Sequence, residues 1–265
     1  DMALSATGPL DALALNAAGS ATTAGWRLGL DAGGQLGVAS TGGRLDLSRL
    51  QLRLNPETAS ARTPGWRLDS TTPLRLGWTI DPANGLALDA GTGALALSPL
   101  PGTAAAPQTP LTLDWQRLVW QAQTLDTRGR LQGLSLPWLE SFAALGPAPS
   151  PLASNGLAGD LVLDGDWDLR LPTNPSAPFT LAASLQRRSG DLRWNGGNGS
   201  PETPLSAGVR DARLSLNVQD RRLQALLRWD TERLGQASAD ASSRLNPGSA
   251  PAHASARERG WPTST

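Results

Sequence analysis

The chain has 265 residues, enough for one or two domains of ordinary size, and its 23 basic residues, all arginine, balance 23 acidic residues. This neutral balance argues against nucleic acid as a partner, because nucleic-acid binding needs a basic surface. The absence of cysteine excludes disulfides and thiol chemistry. Together with the presence of a single histidine, His253, it nearly excludes a metal cluster and a catalytic pair of histidine with cysteine or serine.

The dominant pattern along the chain is a Leu-x-Leu motif, often followed by Trp, that recurs from Trp26 to Trp229. A period of two places these side chains on one face of a β-strand. The pattern predicts an all-β protein in which successive strands form an elongated sheet with an apolar side and a polar side. The residues expected to line the apolar side, as a hydrophobic groove, are Leu28, Leu30, Leu45, Leu47, Leu74, Leu76, Trp78, Leu111, Leu113, Trp115, Leu161, Leu163, Leu169, Leu214, Leu216, Leu227 and Trp229.

Turn-forming residues interrupt the alternation about every 8–15 residues, as at Gly33-Gly34, Gly91–Gly93 and Asn155-Gly156. Such short spacing leaves no room for crossover helices, so neighbouring strands should be antiparallel. About 16–20 strands of ordinary length fit into the chain.

One segment, 137–146, departs from the period of two. Trp138, Leu139, Phe142 and Leu145 recur at helical spacing, after a proline that suits a first turn and before a glycine that suits a helix end. We therefore expect one short amphipathic helix at 137–146.

This helix divides the chain into four parts. The sequence predicts a first β run over 1–136, the helix and a proline-rich spacer over 137–151, and a second β run over 152–245. The alternation then stops, and 246–265 is typical of an irregular tail or loop.

The first residues lack the basic and apolar regions of a signal peptide, and no stretch approaches the ~20 apolar residues of a membrane helix. We interpret the chain as a piece of a longer protein.

The aspartates at Asp164, Asp166 and Asp168 resemble the start of a calcium-binding loop. Two required positions of such a loop do not match: Leu169 stands where the loop needs glycine, and Pro175 stands where it needs the final bidentate glutamate. On a strand these aspartates alternate with the apolar residues, so we favour a solvated outer face over a metal site. No catalytic set, cofactor loop or metal site stands out elsewhere, and we expect no enzymatic activity and no cofactor.

The phase of the tryptophans leaves two interpretations. Trp78, Trp115 and Trp167 share the leucine face, where they could fill a closed sandwich core or line an open groove. Leucine dominates, whereas the chain has five Val, one Ile and two Phe. Closed sandwiches usually use more β-branched and aromatic residues on their inner faces, so the composition favours the groove without excluding a core.

Five segments of the chain resemble a known family. They are Gly133–Leu139, Leu157–Arg170, Gln186–Trp194, Gly208–Leu216 and Leu226–Gln236. Together they are similar to the periplasmic region of the TamB family, the inner-membrane subunits of the translocation and assembly module, within the AsmA-like or bridge-like lipid-transfer group. The resemblance is best over about 130–245.

The resemblance implies a sheet folded lengthwise into an open hydrophobic gutter, a β-taco. It implies a periplasmic location as part of an inner-membrane-anchored protein, with an outer-membrane barrel partner of the TamA type contacted through regions outside this chain. The implied cargo is phospholipid or another acyl-chain molecule, moved between the inner and outer membranes in a system linked to outer-membrane protein assembly and secretion.

Two alternatives to lipid handling stay open. One is a chaperone-like groove for unfolded barrel strands, which would pair with a free sheet edge. The other is a structural β-solenoid or adhesin stalk whose apolar face is closed on itself. An open groove favours lipid, a free edge favours the chaperone, and a dry, shut interior favours the stalk.

Overall fold

The computed structural model describes residues 1–23, 25–56, 65–83, 85–100, 109–143, 151–174, 177–194, 204–233 and 235–245. Within these ranges the chain is almost entirely β-structure. The strands, numbered in chain order, are β1 Met2–Thr7, β2 Leu13–Thr23, β3 Trp26–Ala39, β4 Gly42–Pro56, β5 Trp66–Ser70, β6 Leu74–Asp81, β7 Gly85–Asp89, β8 Gly93–Pro99, β9 Leu111–Gln121, β10 Thr124–Ser135, β11 Leu157–Gly159, β12 Val162–Pro172, β13 Thr180–Ser189, β14 Leu192–Trp194, β15 Leu205–Ser206, β16 Val209–Gln219, β17 Arg222–Thr231 and β18 Gly235–Arg244. The helices are α1 Leu136–Ala143 and α2 Pro151–Ser154.

Fifteen of the described strands form one antiparallel sheet whose spatial order follows the chain. The sheet is open and curled, with β1 at one edge and β18 at the other, which confirms the expected fold class. Because β10 pairs with β12, the strands before and after the helix belong to the same sheet. The three remaining described strands, β11, β14 and β15, form a small separate sheet.

The centre of the large sheet contains two interrupted strands. One half of β4 pairs with β5 and the other half with β6, so β5 and β6 act as two halves of one strand. β8 and β7 repeat this arrangement, because β8 pairs with β5 and β7 pairs with β6. Both then pair with β9, which is one uninterrupted strand.

A line of irregular positions crosses this central region. β4 has a bulge next to Arg49, opposite Gly33-Gly34 of β3, and β9 has a bulge at Gln116. The gaps between β5 and β6 and between β7 and β8 lie between these two bulges. Bulges and strand interruptions bend a sheet, so this line forms a crease. Gly33-Gly34 was predicted as a turn, but this prediction is wrong, because β3 runs through both glycines without a break.

The bulges explain why the leucine pattern changes phase within single strands. In β4, Leu45 and Leu47 are odd-numbered, whereas Leu50 and Leu52 are even-numbered. The extra residue at the bulge returns all four to one face. In β9 the same shift separates Leu111, Leu113 and Trp115 from Leu118 and Trp120.

Two tight hairpins use residues that the sequence did not mark as turns. Ala122 and Gln123 connect β9 to β10 with φ of 47° and 59°, and Asp220 and Arg221 connect β16 to β17 with φ of 49° and 60°. Two successive positive φ values are typical of a type I′ turn, which fits the right-handed twist of the strands. The twist imposes this turn although neither pair contains glycine.

The predicted helix is confirmed, and α1 begins one residue before the expected start. Residues 144–150, which include the predicted helix end and most of the predicted spacer, lie outside the described residues, as does the predicted tail at 246–265. The short helix α2 and the sheet of β11, β14 and β15 were not predicted. We call α1, α2 and this small sheet the cap.

Candidate hydrophobic groove

The apolar side chains of the large sheet share one face, which we call the inner face. Strand register places residues directly opposite one another, with their side chains pointing the same way. One row crosses five strands through Leu30, Leu52, Leu68, Leu97 and Leu111. A second row runs from β8 to β17 through Leu95, Leu113, Leu131, Gly165, Leu185, Leu214 and Leu227.

Most of the predicted groove residues lie on this face. Thirteen of the seventeen are half-buried, and Leu28 and Leu227 are exposed at 41% and 39%. The other two, Leu111 and Leu161, are buried. Leu161 packs in the core beneath the cap and not on the open part of the face. The structure thus divides the predicted set between an open surface and a covered one.

Tryptophans on the inner face lie over glycines of the neighbouring strand. Trp78 is opposite Gly43 and Trp115 is opposite Gly93, and a Cβ atom added to either glycine would overlap the indole ring. Trp167 covers Gly129 in the same way. Glycine leaves room for a ring to lie along the sheet, which shields the backbone and keeps the lining thin.

An apolar cavity of about 490 Å³ opens on the inner face near β1. This volume lies within the range of pockets for small ligands. Six neighbouring strands line it, from β1 to β5 together with β8. Its large apolar lining residues are Met2, Leu28, Leu30, Leu52, Leu54, Trp66, Leu68 and Leu97.

Only Leu28 and Leu30 of this cavity belong to the predicted set. Leu52 and Leu54 follow the phase change in β4, and Trp66 begins a short strand, so none of them stood out as a groove residue. The sequence does contain a signal for Leu52 and Leu54: the leucines of β4 change from odd-numbered positions to even-numbered positions between Leu47 and Leu50. One inserted residue at this point places the leucines before and after it on the same face.

The cap covers one end of the inner face next to this cavity. Trp138 of α1 is fully buried and packs with Trp66, Leu111 and Leu134. Its indole Nε1 donates a hydrogen bond to the carbonyl oxygen of Thr109 at 2.9 Å. This cluster draws partners from seven neighbouring strands, β4 to β13, which the curl of the sheet brings around one helix.

A carboxylate organises the other part of the cap. Asp191 accepts hydrogen bonds from the Ser206 hydroxyl and from the backbone N–H groups of Leu192, Gly208 and Val209. Burial alone would raise its pKa, but these hydrogen bonds favour the charged form and lower the pKa of Asp191 to about 2. The carboxylate thereby fixes β14 and β15 over the buried core of Leu161 and its neighbours.

The opposite face of the sheet, which we call the outer face, carries cross-strand ion pairs. Asp31 binds Arg49, and Asp46 binds Arg75, each at 2.8 Å. These pairs are exposed and add little stability, but they keep this face polar.

The aspartates that resembled a calcium loop lie on this outer face. Asp164 accepts a backbone hydrogen bond from Gly133 at 2.8 Å, Asp166 binds the Ser184 hydroxyl, and Asp168 pairs with Arg128. Among the described residues no group of three or more potential ligands is arranged to hold a metal ion.

Comparison with known proteins identifies no relative: no protein-family model, curated sequence or solved structure matches the chain. In the part of the chain that the structure describes, no helix has the length and apolar character needed to cross a bilayer.

Proposed function

We propose that this chain is a non-enzymatic segment of a TamB-like periplasmic protein that shields acyl chains, most simply those of phospholipid, between the inner and outer membranes. The observation that carries the proposal is the open apolar cavity on the inner face, where Leu28 and Leu52 are 41% and 40% exposed. A face that packed on itself as a core would bury these side chains.

The energetics of lipid transfer support such a surface. A lipid with two acyl chains carries about 30 methylene groups, and exposing all of them to water costs on the order of 24 kcal/mol at ~0.8 kcal/mol each. Apolar contact along the leucine rows removes much of this cost. Because the contact is non-directional, successive rows bind a chain about equally well, which permits sliding without a chemical step.

The contrast between the two faces supports the same proposal. Exposed large apolar side chains cluster on the inner face, including Ile80, Leu86 and Leu171 at 57%, 47% and 41%. A contiguous exposed apolar surface on a soluble protein usually marks a binding site. The ion pairs of the outer face leave only one side of the sheet suited to an apolar ligand.

One observation favours the second candidate, a holder of unfolded barrel strands. β18 is a ten-residue edge strand in which every residue is exposed, and its side chains are small or polar. An exposed edge offers free backbone groups to an added strand. This function would use the edge, whereas lipid binding would use the inner face.

The test replaces Leu28 and Leu52 by glutamine, which keeps their size but places amides under a bound chain. Each unpaired amide that a chain covers costs about 1–3 kcal/mol, so we expect a loss of affinity for a fluorescent palmitate analogue of about 5-fold to 150-fold per substitution. Native mass spectrometry of the periplasmically expressed protein should show phospholipid that the double variant lacks.

The matched control is Leu226→Gln. Leu226 is half-buried in β17 and points to the outer face, next to the inward Leu227. It should bind lipid like the unmodified chain. Equal losses in the control and the cavity variants, or a lipid-free protein with a cooperative melt, would contradict the proposal. Retained binding of unfolded barrel peptides would then favour the edge of β18.

A further inference from the structure

The cavity and the cap share residues, so they form one continuous apolar unit. Leu54, Trp66 and Leu97 line the cavity and also belong to the cluster around Trp138. The leucine row that crosses the cavity continues directly from Leu97 to Leu111, which lies in that cluster. This leucine row is therefore open in the cavity and covered by helix α1 at Leu111, and apolar residues line both parts.

Aromatic rings connect the cavity wall to α1. Trp26 and Trp66 have ring centroids 6.3 Å apart, and Trp66 meets Phe142 edge-on at 5.6 Å. Phe142 stacks on Trp138 at 5.6 Å. A ligand in the cavity touches Trp66, so it contacts the same ring that holds Phe142 in place.

Helix α1 has little stability of its own. It contains eight residues, with no acidic residue in its first turn and no basic residue in its last. Isolated helices shorter than about 12–15 residues are marginal in water, so α1 is helical because it is docked.

From these contacts we infer that α1 is a gate in the groove: docked, it packs against Leu54, Trp66 and Leu97 at one end of the cavity, and undocked, it joins the cavity to the inner face of β10 to β17. The inference rests on the proposed function, because the ligand that favours the undocked state is an acyl chain. A chain long enough to reach past Trp66 competes with Phe142 for this ring, so binding shifts the equilibrium toward the open state.

The absence of cysteine from the chain makes the gate directly measurable. Ser141 of α1 is 5% exposed, so the single thiol of Ser141→Cys reacts with a maleimide only when α1 undocks. We expect saturating palmitate to raise the labelling rate of this variant about tenfold. Val218→Cys is the matched control, since Val218 is 3% exposed in β16, belongs to neither of the two apolar clusters that include residues of α1, and should stay protected.

A second variant tests the same equilibrium from the other side. Phe142→Ala removes the ring that meets Trp66, so it should raise the labelling rate without ligand and increase palmitate affinity severalfold, since less binding energy is spent on opening. The outer-face substitution Leu226→Gln should change neither quantity.

The outcomes separate the gate from the proposed function. Palmitate binding with an unchanged labelling rate at position 141 overturns the gate and leaves the lipid function intact. Equal acceleration at positions 218 and 141 also overturns it, because the ligand would then loosen the whole sheet. Absence of palmitate and phospholipid binding in every variant overturns the proposed function and the gate with it.

Discussion

Gly93 provides the sharpest test of how the inner face is built. A Cβ atom at this position would overlap the indole ring of Trp115, and the three nearest atoms all belong to that ring. Gly93 does not have a positive φ, so alanine fits its backbone. Any cost of Gly93→Ala must therefore come from displacing Trp115.

The expected magnitude is the difference between two effects. Overpacking of a well-packed site costs about 1–3 kcal/mol, whereas replacing a strand glycine by alanine gains about 0.5–1 kcal/mol through lower entropy of the unfolded chain. Gly93→Ala should therefore lower the free energy of unfolding by about 1 kcal/mol, and by at most about 2.5 kcal/mol. In a Trp115→Leu background, where the flat ring is absent, the same change should be neutral or stabilising.

Urea unfolding of the four proteins gives the coupling energy from a double-mutant cycle. Gly77→Ala and Gly29→Ala are the matched controls. A Cβ at Gly77 would meet the backbone oxygen of Asp89 at 3.8 Å, and one at Gly29 would meet the Cβ of Arg53 at 3.6 Å, both ordinary contacts. These controls should be neutral or slightly stabilising.

Two results would contradict this prediction: Gly93→Ala has the same stability effect as Gly77→Ala, or its cost persists unchanged in the Trp115→Leu background. Either result would mean that Trp115 does not lie flat on β8. The proposal that flat tryptophan rings over glycines keep the inner face open would then be wrong.

Two further predictions concern the cap and a hairpin. Because the folded state lowers the pKa of Asp191 below its ordinary 3.8, its stabilising contribution is present above about pH 4 and is lost as the pH falls toward 2. At this partly exposed site we expect the Asp191 carboxylate to contribute about 1 kcal/mol to the free energy of unfolding. Asp191→Asn should therefore weaken the dependence of the melting temperature on pH between pH 2 and 5, and an unchanged dependence would contradict this. Gln123→Gly should raise the unfolding free energy by about 1 kcal/mol, since Gln123 adopts a φ of 59°, and an unchanged urea midpoint would argue against strain at this turn.

The one-faced strands follow from the sequence because a period of two is a local property. Leu74, Leu76 and Trp78 share a face in any β-strand, so the structure had little freedom to place them otherwise. The helix around Trp138 was predictable for the same reason, since its period differs from that of the neighbouring strands.

The cavity was not predictable in this way. Whether Leu52 and Trp66 share a surface depends on the bulge in β4 and on pairing between segments far apart in sequence. A single inserted residue reverses which face a side chain occupies, and only the partner strand fixes where that residue goes.

The sequence by itself determined the class of fold, the antiparallel order of neighbouring strands and the apolar character of one face, because periodicity and turn chemistry act over a few residues. The tertiary structure alone decided which part of that face stays open. The curl of the sheet and the docking of α1 bury Trp138 and Leu161 while leaving Leu28 and Leu52 exposed. These side chains are of similar apolar character, and what separates them is long-range packing, which no local pattern encodes.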